Sequence, residues 1–410
     1  MIEKVKIPEL LSPAGNLEKL RAALYFGADA VYLAGKSFGM RAAAGNFTEN
    51  EMQTGIEEAH SKGKKCFVAV NSMPRSDEFQ ALERYLHQLK ELQPDALITA
   101  DLGVFSLCRK ILPEIPIHIS TQAGNVNLES CRMWYELGAK RVVLARELTL
   151  SEIAEICAKK PKELEIEVFI HGAMCVSFSG RCLLSEYYTG RDANRGACTQ
   201  PCRWTYRFHE EKRPDDVLSC EIHPEGSYIF GSKDLCMIEG VRDLIDAGID
   251  SFKIEGRMKS AYYAAVVTNA YRIALDAAFS GKQIDIGLLK RELNSVSHRE
   301  YDTGFFYQKP MEESKIAADP GYIGEKSYLA AVLSYDEKTR TARCIQRNKF
   351  SCGDIVEVIT PGKTGTRMIA EEMKDECGAD IDSCSHPQMI FDLKIPFPVH
   401  QGDLIRKSLN

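Results

Sequence analysis

Two rhythms of apolar positions alternate along this chain. Short apolar runs read as buried strands at 9–11, 30–34, 65–71, 96–99, 117–120, 141–145, from 165 onward, and at 251–255. Between them apolar residues recur at helical spacing over 16–26, 49–62, 77–92, 102–112, 128–137 and 151–159. Asn16 is placed to cap the first helix, and Gly27 to end it. Similar helix-to-strand turns recur as Gly27-Ala28-Asp29, Gly138-Ala139-Lys140 and Gly248-Ile249-Asp250. Eight strand runs alternating with helices predict the α/β class and a TIM-like (β/α)8 barrel. No Gly-x-Gly-x-x-Gly follows the first strand, which weakens the case for an open dinucleotide-binding sheet.

A helix over 261–280 closes the barrel part, and 294–310 reads as a loop. From Gly321 the texture changes to short alternating strands at 328–334, 341–346, 355–360 and 388–393, with Gly353-Asp354 and Gly402-Asp403 as turns. The predicted plan is a barrel domain over 1–310 carrying a cysteine-rich insertion at about 172–236, then a small C-terminal β-barrel-like domain over 321–410.

The insertion is the least core-like stretch. It starts as a strand, with Glu165, Glu167 and Phe169 alternating with Ile166, Val168 and Ile170. Cys175, Cys182, Cys198 and Cys202 follow among Gly172, Gly180, Gly190 and Gly196, and Cys236 is the nearest later cysteine. Glycines let the backbone fold tightly, so cysteines gathered among them point to thiolate ligands. Cys198 and Cys202 fit a zinc knuckle, but six residues separate Cys175 from Cys182. Wide, irregular spacing favours a [4Fe–4S] cluster and leaves zinc open. Fourteen cysteines are many for a cytosolic chain, where disulfides seldom persist. Cys66, Cys108, Cys131 and Cys157 lie in apolar patterns and read as small buried hydrophobes.

In a barrel, function sits at the C-terminal strand ends. Those ends carry Asn71, Asp101, Thr121-Gln122, Arg146-Glu147, His171 and Glu255-Gly256-Arg257, with Lys253 just before them. Arg146, Lys253, Arg257 and His171 are cationic or proton-carrying; Asn71 and Gln122 are neutral donors. Glu167 and Glu255 would orient them, or simply pair with arginines inside the barrel.

Composition narrows the classes. At 410 residues, 44% hydrophobic and 27% charged, with neither a membrane-length apolar run nor an apolar signal core, the expectation is a cytoplasmic protein with no membrane partner. A net charge of −6 argues against a generally basic nucleic-acid binder but not against a local patch. The insertion holds Arg181, Arg191, Arg195, Arg203 and Arg207 against Glu186 and Asp192, interleaved with Tyr187, Tyr188, Trp204 and Tyr206. Arginines among aromatics bind phosphates and stack bases, or neutralise an anionic cluster. Ser177, Ser179 and Ser185 lack a Gly-x-Ser-x-Gly context, and a cysteine peptidase would need a thiol left free near His171.

The run from Glu167 to Cys175 (EVFIHGAMC) followed by SGRCLLS around Cys182 resembles the defining pattern of the peptidase U32, or collagenase-like, family. ELLSPAGNLEKLRAALYFGADAVYLAG near the N-terminus, SKDLC ending at Cys236 and FKIEGRMKS at 252–260 extend the resemblance, and the C-terminal region resembles the family's appended β domain. The family includes tRNA and ribosomal RNA hydroxylation proteins and proteins of oxygen-independent ubiquinone synthesis. In length and layout the chain is most similar to the tRNA-acting members. The resemblance implies a [4Fe–4S] cluster on Cys175, Cys182, Cys198 and Cys236, with Cys202 an extra thiol. It implies prephenate as co-substrate and hydroxylation of the tRNA wobble uridine to 5-hydroxyuridine. His171, Glu167, Lys253 and Glu255 are then the catalytic candidates, and Asn71, Gln122, Arg146 and Arg257 the substrate-binding ones. Arg191 and Arg195 would meet tRNA, and assembly with itself or a paralogous subunit is open. The rival readings are a collagenase-like peptidase and a zinc-stabilised RNA-binding or scaffold protein.

Overall fold

The computed structural model describes residues 6–40, 45–175, 177–204, 232–307 and 328–408. Tyr206 and Arg207, the junction around 310–321 and part of the insertion lie outside the described residues. Elements follow in chain order as β1 (Glu9–Pro13), α1 (Leu17–Tyr25), β2 (Ala30–Leu33), α2 (Glu49–Ser61), β3 (Lys65–Val70), α3 (Phe79–Leu92), β4 (Ala96–Thr99) and α4 (Leu102–Ile111). They continue with β5 (Ile117–Ile119), α5 (Leu128–Glu136), β6 (Arg141–Val143), α6 (Leu150–Lys159), β7 (Glu165–Ala173), α7 (Leu184–Thr189), β8 (Asp234–Cys236), α8 (Val241–Asp246), β9 (Ser251–Ile254), α9 (Ala261–Ser280) and α10 (Ile286–Asn294).

Strands β1 to β7 pair in parallel in sequence order, and β9 pairs with both β7 and β1, closing an eight-stranded barrel. This is the predicted (β/α)8 architecture. The strands are continuous apolar runs because helices cover them outside and side chains fill them inside. Leu11, Tyr32, Phe67, Ala69 and Ile98 form an inner cluster. The helices start where the sequence places caps. Asn16 Oδ1 accepts the Lys19 amide at 2.9 Å, and Thr48 with Glu51 and Thr149 with Glu152 form capping boxes.

Two features depart from expectation. β8 runs antiparallel to the overhanging end of β7, pairing Cys236 with His171 and Asp234 with Ala173. The segment read as a loop contains β10 (Tyr301–Asp302), which pairs with β8. Strands of two or three residues are too short to show a period.

The C-terminal region comprises β11 (Tyr328–Asp336), β12 (Thr341–Gln346), β13 (Phe350–Ser351), β14 (Ile355–Ile359), β15 (Thr366–Ile369), β16 (Met373–Asp375), β17 (Ser383–Cys384), β18 (Ile390–Lys394) and β19 (Leu404–Lys407). Seven of these form one antiparallel sheet in the order β15-β14-β19-β11-β12-β18-β16, over a core that includes Val332, Val356, Phe391 and Ile405. The sheet docks on α9 and α10. Buried Arg406 donates to Glu292 of α10 at 2.6 Å and to Glu357 of its own sheet at 2.9 Å. No helix among the described residues is long and apolar enough to cross a membrane.

Candidate active site

The C-terminal ends of the barrel strands open on one cavity, and the insertion forms its other wall. Its floor starts with charge. Lys253 Nζ donates to Glu167 Oε1 at 2.7 Å, and Glu167 accepts from Arg141 Nη1 at 2.8 Å. Arg141 also binds Glu9 and Glu165, each at 2.7 Å. Burial works against a charged Arg141, but Glu167 and Glu9 beside it hold its pKa above the usual value. Barrel layers are ordinarily apolar, and buried ion pairs are costly unless well paired. Here the stack raises one ammonium to the cavity, 4.6 Å from the Tyr32 ring centre and 5.4 Å from that of Phe169.

The walls carry two more cations on the same rings. The Arg146 guanidinium lies 4.1 Å from the Phe169 centroid and donates to the Ala173 carbonyl at 2.6 Å. The Arg257 guanidinium lies 6.0 Å from the Tyr32 centroid and donates to the Met40 carbonyl. Tyr32 donates to Glu255 at 3.0 Å; burial, then the Glu255 charge, raise its pKa well above the ordinary value, so it stays a donor. Asn71 Nδ2 donates to Gln122 Oε1 at 3.1 Å.

The insertion is pinned over this mouth. Glu147 accepts from the Ser179 amide at 2.9 Å, and Arg195 pairs with Glu78 at 2.6 Å. Gly180 has φ +75°, and a Cβ there would stand 2.1 Å from the Gln122 carbonyl oxygen. Only glycine permits that approach.

Asn71, Gln122, Arg146, Lys253, Glu255 and Arg257 therefore all line one cavity. Glu167 lies one layer below, acting through Lys253. Cys175, Cys182 and Cys198 line the cavity, and so does Cys202. Cys236 does not. Its thiol accepts from Tyr271 of α9 at 3.9 Å, and burial pushes its pKa up to about 11. His171 also leaves the mouth. Pairing of β7 with β9 runs Phe169 to Lys253 and then His171 to Ile254, so a bulge at Ile170 resets the alternation. His171 turns outward between Tyr271 (3.3 Å) and Tyr301 (3.4 Å), and burial lowers its pKa to about 3. Arg191 is exposed, whereas Arg195 is a brace to Glu78.

Tyr32, Phe169 and Arg141 are site residues that the sequence reading did not single out. Phe169 shares its alternation with Glu167, which was a usable signal; Tyr32 sits in an all-apolar run and gave none. Among the described residues, no three His, Cys, Asp or Glu side chains are grouped to hold a metal ion. The four cavity thiols are nonetheless the donor type that an iron–sulfur cluster takes.

Residues 15–316 match the family model described as Peptidase family U32, and residues 325–406 match the Peptidase family U32 C-terminal domain. The chain is 38% identical over 408 residues to tRNA hydroxylation protein P1 of Bacillus subtilis (strain 168), covering 98% of this chain and 95% of that one. It is 38% identical over 394 residues to tRNA hydroxylation protein P of Escherichia coli (strain K12), covering 86% of each. It is also 31% identical over 380 residues to a protein named Collagenase from Porphyromonas gingivalis (strain ATCC BAA-308 / W83), covering 90% of this chain and 89% of that one.

Proposed function

The chain belongs to peptidase family U32, and from that premise we propose that it is an RNA-modifying enzyme that hydroxylates tRNA. The finer reading is conversion of the wobble uridine to 5-hydroxyuridine, with prephenate as co-substrate.

The observation that carries this reading is the convergence of Lys253, Arg146 and Arg257 on the faces of Tyr32 and Phe169. Guanidinium groups take carboxylates through paired hydrogen bonds, and aromatic faces take a flat ring. A small ring that bears two carboxylates suits that combination. Lys253 supplies a fixed positive charge at the floor, and Glu167 fixes where it stands. Tyr32, kept protonated beside Glu255, can donate a hydrogen bond but accepts no negative charge of its own. Asn71 and Gln122 offer neutral amide groups at the side.

The thiols of Cys175, Cys182 and Cys198 would hold a [4Fe–4S] cluster, which supplies electron transfer when bound. The family resemblance takes Cys236 as the fourth ligand, whereas placement in the cavity takes Cys202. A peptidase reading has no observation of its own in this cavity. Among the described residues, its lining includes no histidine to activate Ser177, Ser179 or a thiol.

The test is the nucleoside profile of tRNA from cells lacking the gene, complemented with the wild type or with Lys253→Met. Loss of 5-hydroxyuridine derivatives, restored by the wild type alone, is the expected result. An unchanged profile in the deletion strain would end this reading.

A further inference from the structure

The outer surface of the insertion differs from the protein's other exteriors. Tyr187 is 85% exposed, Tyr188 45% and Trp204 40%. Their rings follow one another, with Tyr187 and Tyr188 centroids 5.5 Å apart at 89°, and Tyr188 and Trp204 6.4 Å apart at 56°. The arrangement is held from beneath. Ser185 and Thr189 of α7 bond to the Thr199 hydroxyl at 3.1 and 3.3 Å, so the helix spends its polar face on the insertion itself.

The ladder begins at the cavity rim. Leu184 lines the cavity, and Tyr188 stands one helical turn further along the same side of α7. Exposed Arg181 and Arg191 flank the helix, while Arg195 is committed to Glu78. Exposed aromatic surface of this kind marks an interaction site. In a chain of net charge −6, arginines beside exposed rings select a partner that is anionic and carries flat faces.

We propose that Tyr187, Tyr188 and Trp204 form a stacking platform for unpaired bases of single-stranded RNA, with Arg191 on the adjoining phosphate. The platform would hold nucleotides that flank the base presented to the cavity. That role rests on the tRNA reading above, whereas the binding itself is measured independently of it.

The experiment uses the full chain and two labelled probes, a single-stranded RNA with the sequence of an anticodon loop and a duplex of equal length. Affinities are followed by fluorescence anisotropy over a salt series. The single strand should bind at least about 10-fold more tightly than the duplex. Tyr187→Ala with Tyr188→Ala should weaken single-strand binding at least about 10-fold with the salt slope unchanged, since stacking releases no counterions. Arg191→Ala should instead make the slope shallower. The paired Tyr→Phe changes should retain binding, and thermal unfolding should stay at the wild-type value because both rings are exposed. Equal affinity for strand and duplex, or wild-type binding by the double Ala variant, overturns the platform. So does a change of oligomeric state in that variant with RNA binding intact, which would make the surface a protein contact. A protein that binds single strands through the ladder yet leaves tRNA unmodified sinks the proposed function and keeps the platform.

Discussion

The two sides of β7 carry similar chemistry to opposite ends. In front, Glu167 and Phe169 join Lys253 of β9 beneath an open cavity. Behind, past the bulge at Ile170, His171 lies with Tyr271, Tyr301 and Cys236, and Asp234 pairs with Arg299 at 2.7 Å. Both sides bury titratable groups: burial raises the pKa of Tyr32 at the front and lowers that of His171 behind. Among the described residues, the front opens on a cavity in which another molecule could stand. Perturbed protonation is the stronger pointer to a site where a cavity accompanies it, and His171 lies away from the cavity that its strand position suggested.

The division breaks most easily at Lys253. Lys253→Met removes the floor charge while keeping the stem, and should reduce hydroxylation by about 10²- to 10⁴-fold. The variant should still fold, by circular dichroism, although Glu167 keeps only Arg141 as a charged partner. Tyr271→Phe, on the rear side, should keep activity within a few-fold. Equal losses in the two variants would erase the distinction between front and back.

The rear side answers through stability. Asp234→Ala removes the carboxylate that pairs with fully buried Arg299. Breaking one half of a buried pair costs roughly 3–5 kcal/mol. Urea unfolding should register that cost, and activity per folded molecule should stay near wild type. A loss of activity at unchanged stability would place Asp234 in the chemistry.

Much of this plan was legible in the sequence. The eight strand starts were visible because each barrel strand is a short apolar run ended by turn residues, and the mouth residues because they follow those runs at once. The reversal at His171 was not. Strand alternation carries through a β-bulge only if the extra residue is known, and Ile170 looks like any other apolar position. The position of Cys236 was hidden for a related reason, since β8 is three residues long and its pairing with β7 depends on the chain beyond it. Arg195 looked like a free cation because its partner, Glu78, lies more than a hundred residues earlier in the sequence.

The cysteines sharpen the comparison. Iron content of anaerobically purified single variants should fall steeply for Cys175→Ala, Cys182→Ala and Cys198→Ala. The front–back division expects Cys202→Ala to lose iron with them and Cys236→Ala to keep most of it. The opposite pattern would return the fourth position to Cys236 and require β8 to present its thiol to the cavity. Stoichiometric zinc without sulfide would remove the cluster altogether.

The smallest effect should come from His171 itself. Burial lowers its pKa to about 3; Asp234 opposes that shift, and His298 and Lys259 add to it. An unfolded histidine titrates near pH ~6.5. Between those values the unfolded chain binds a proton that the folded chain refuses, so stability falls as pH drops below about 6.5. The slope from this one residue is at most about 1.4 kcal/mol per pH unit. His118, buried beside Phe67 and likewise lowered, adds a slope of the same sign. His171→Gln can still bond to Tyr271 and Tyr301 but takes up no proton. Its urea midpoint should be lower than wild type at pH 8 and should decline less between pH 6 and 4, without becoming flat, because His118 remains. Parallel pH profiles for the two proteins would mean that His171 is protonated in the fold, and its surroundings would then be open to water.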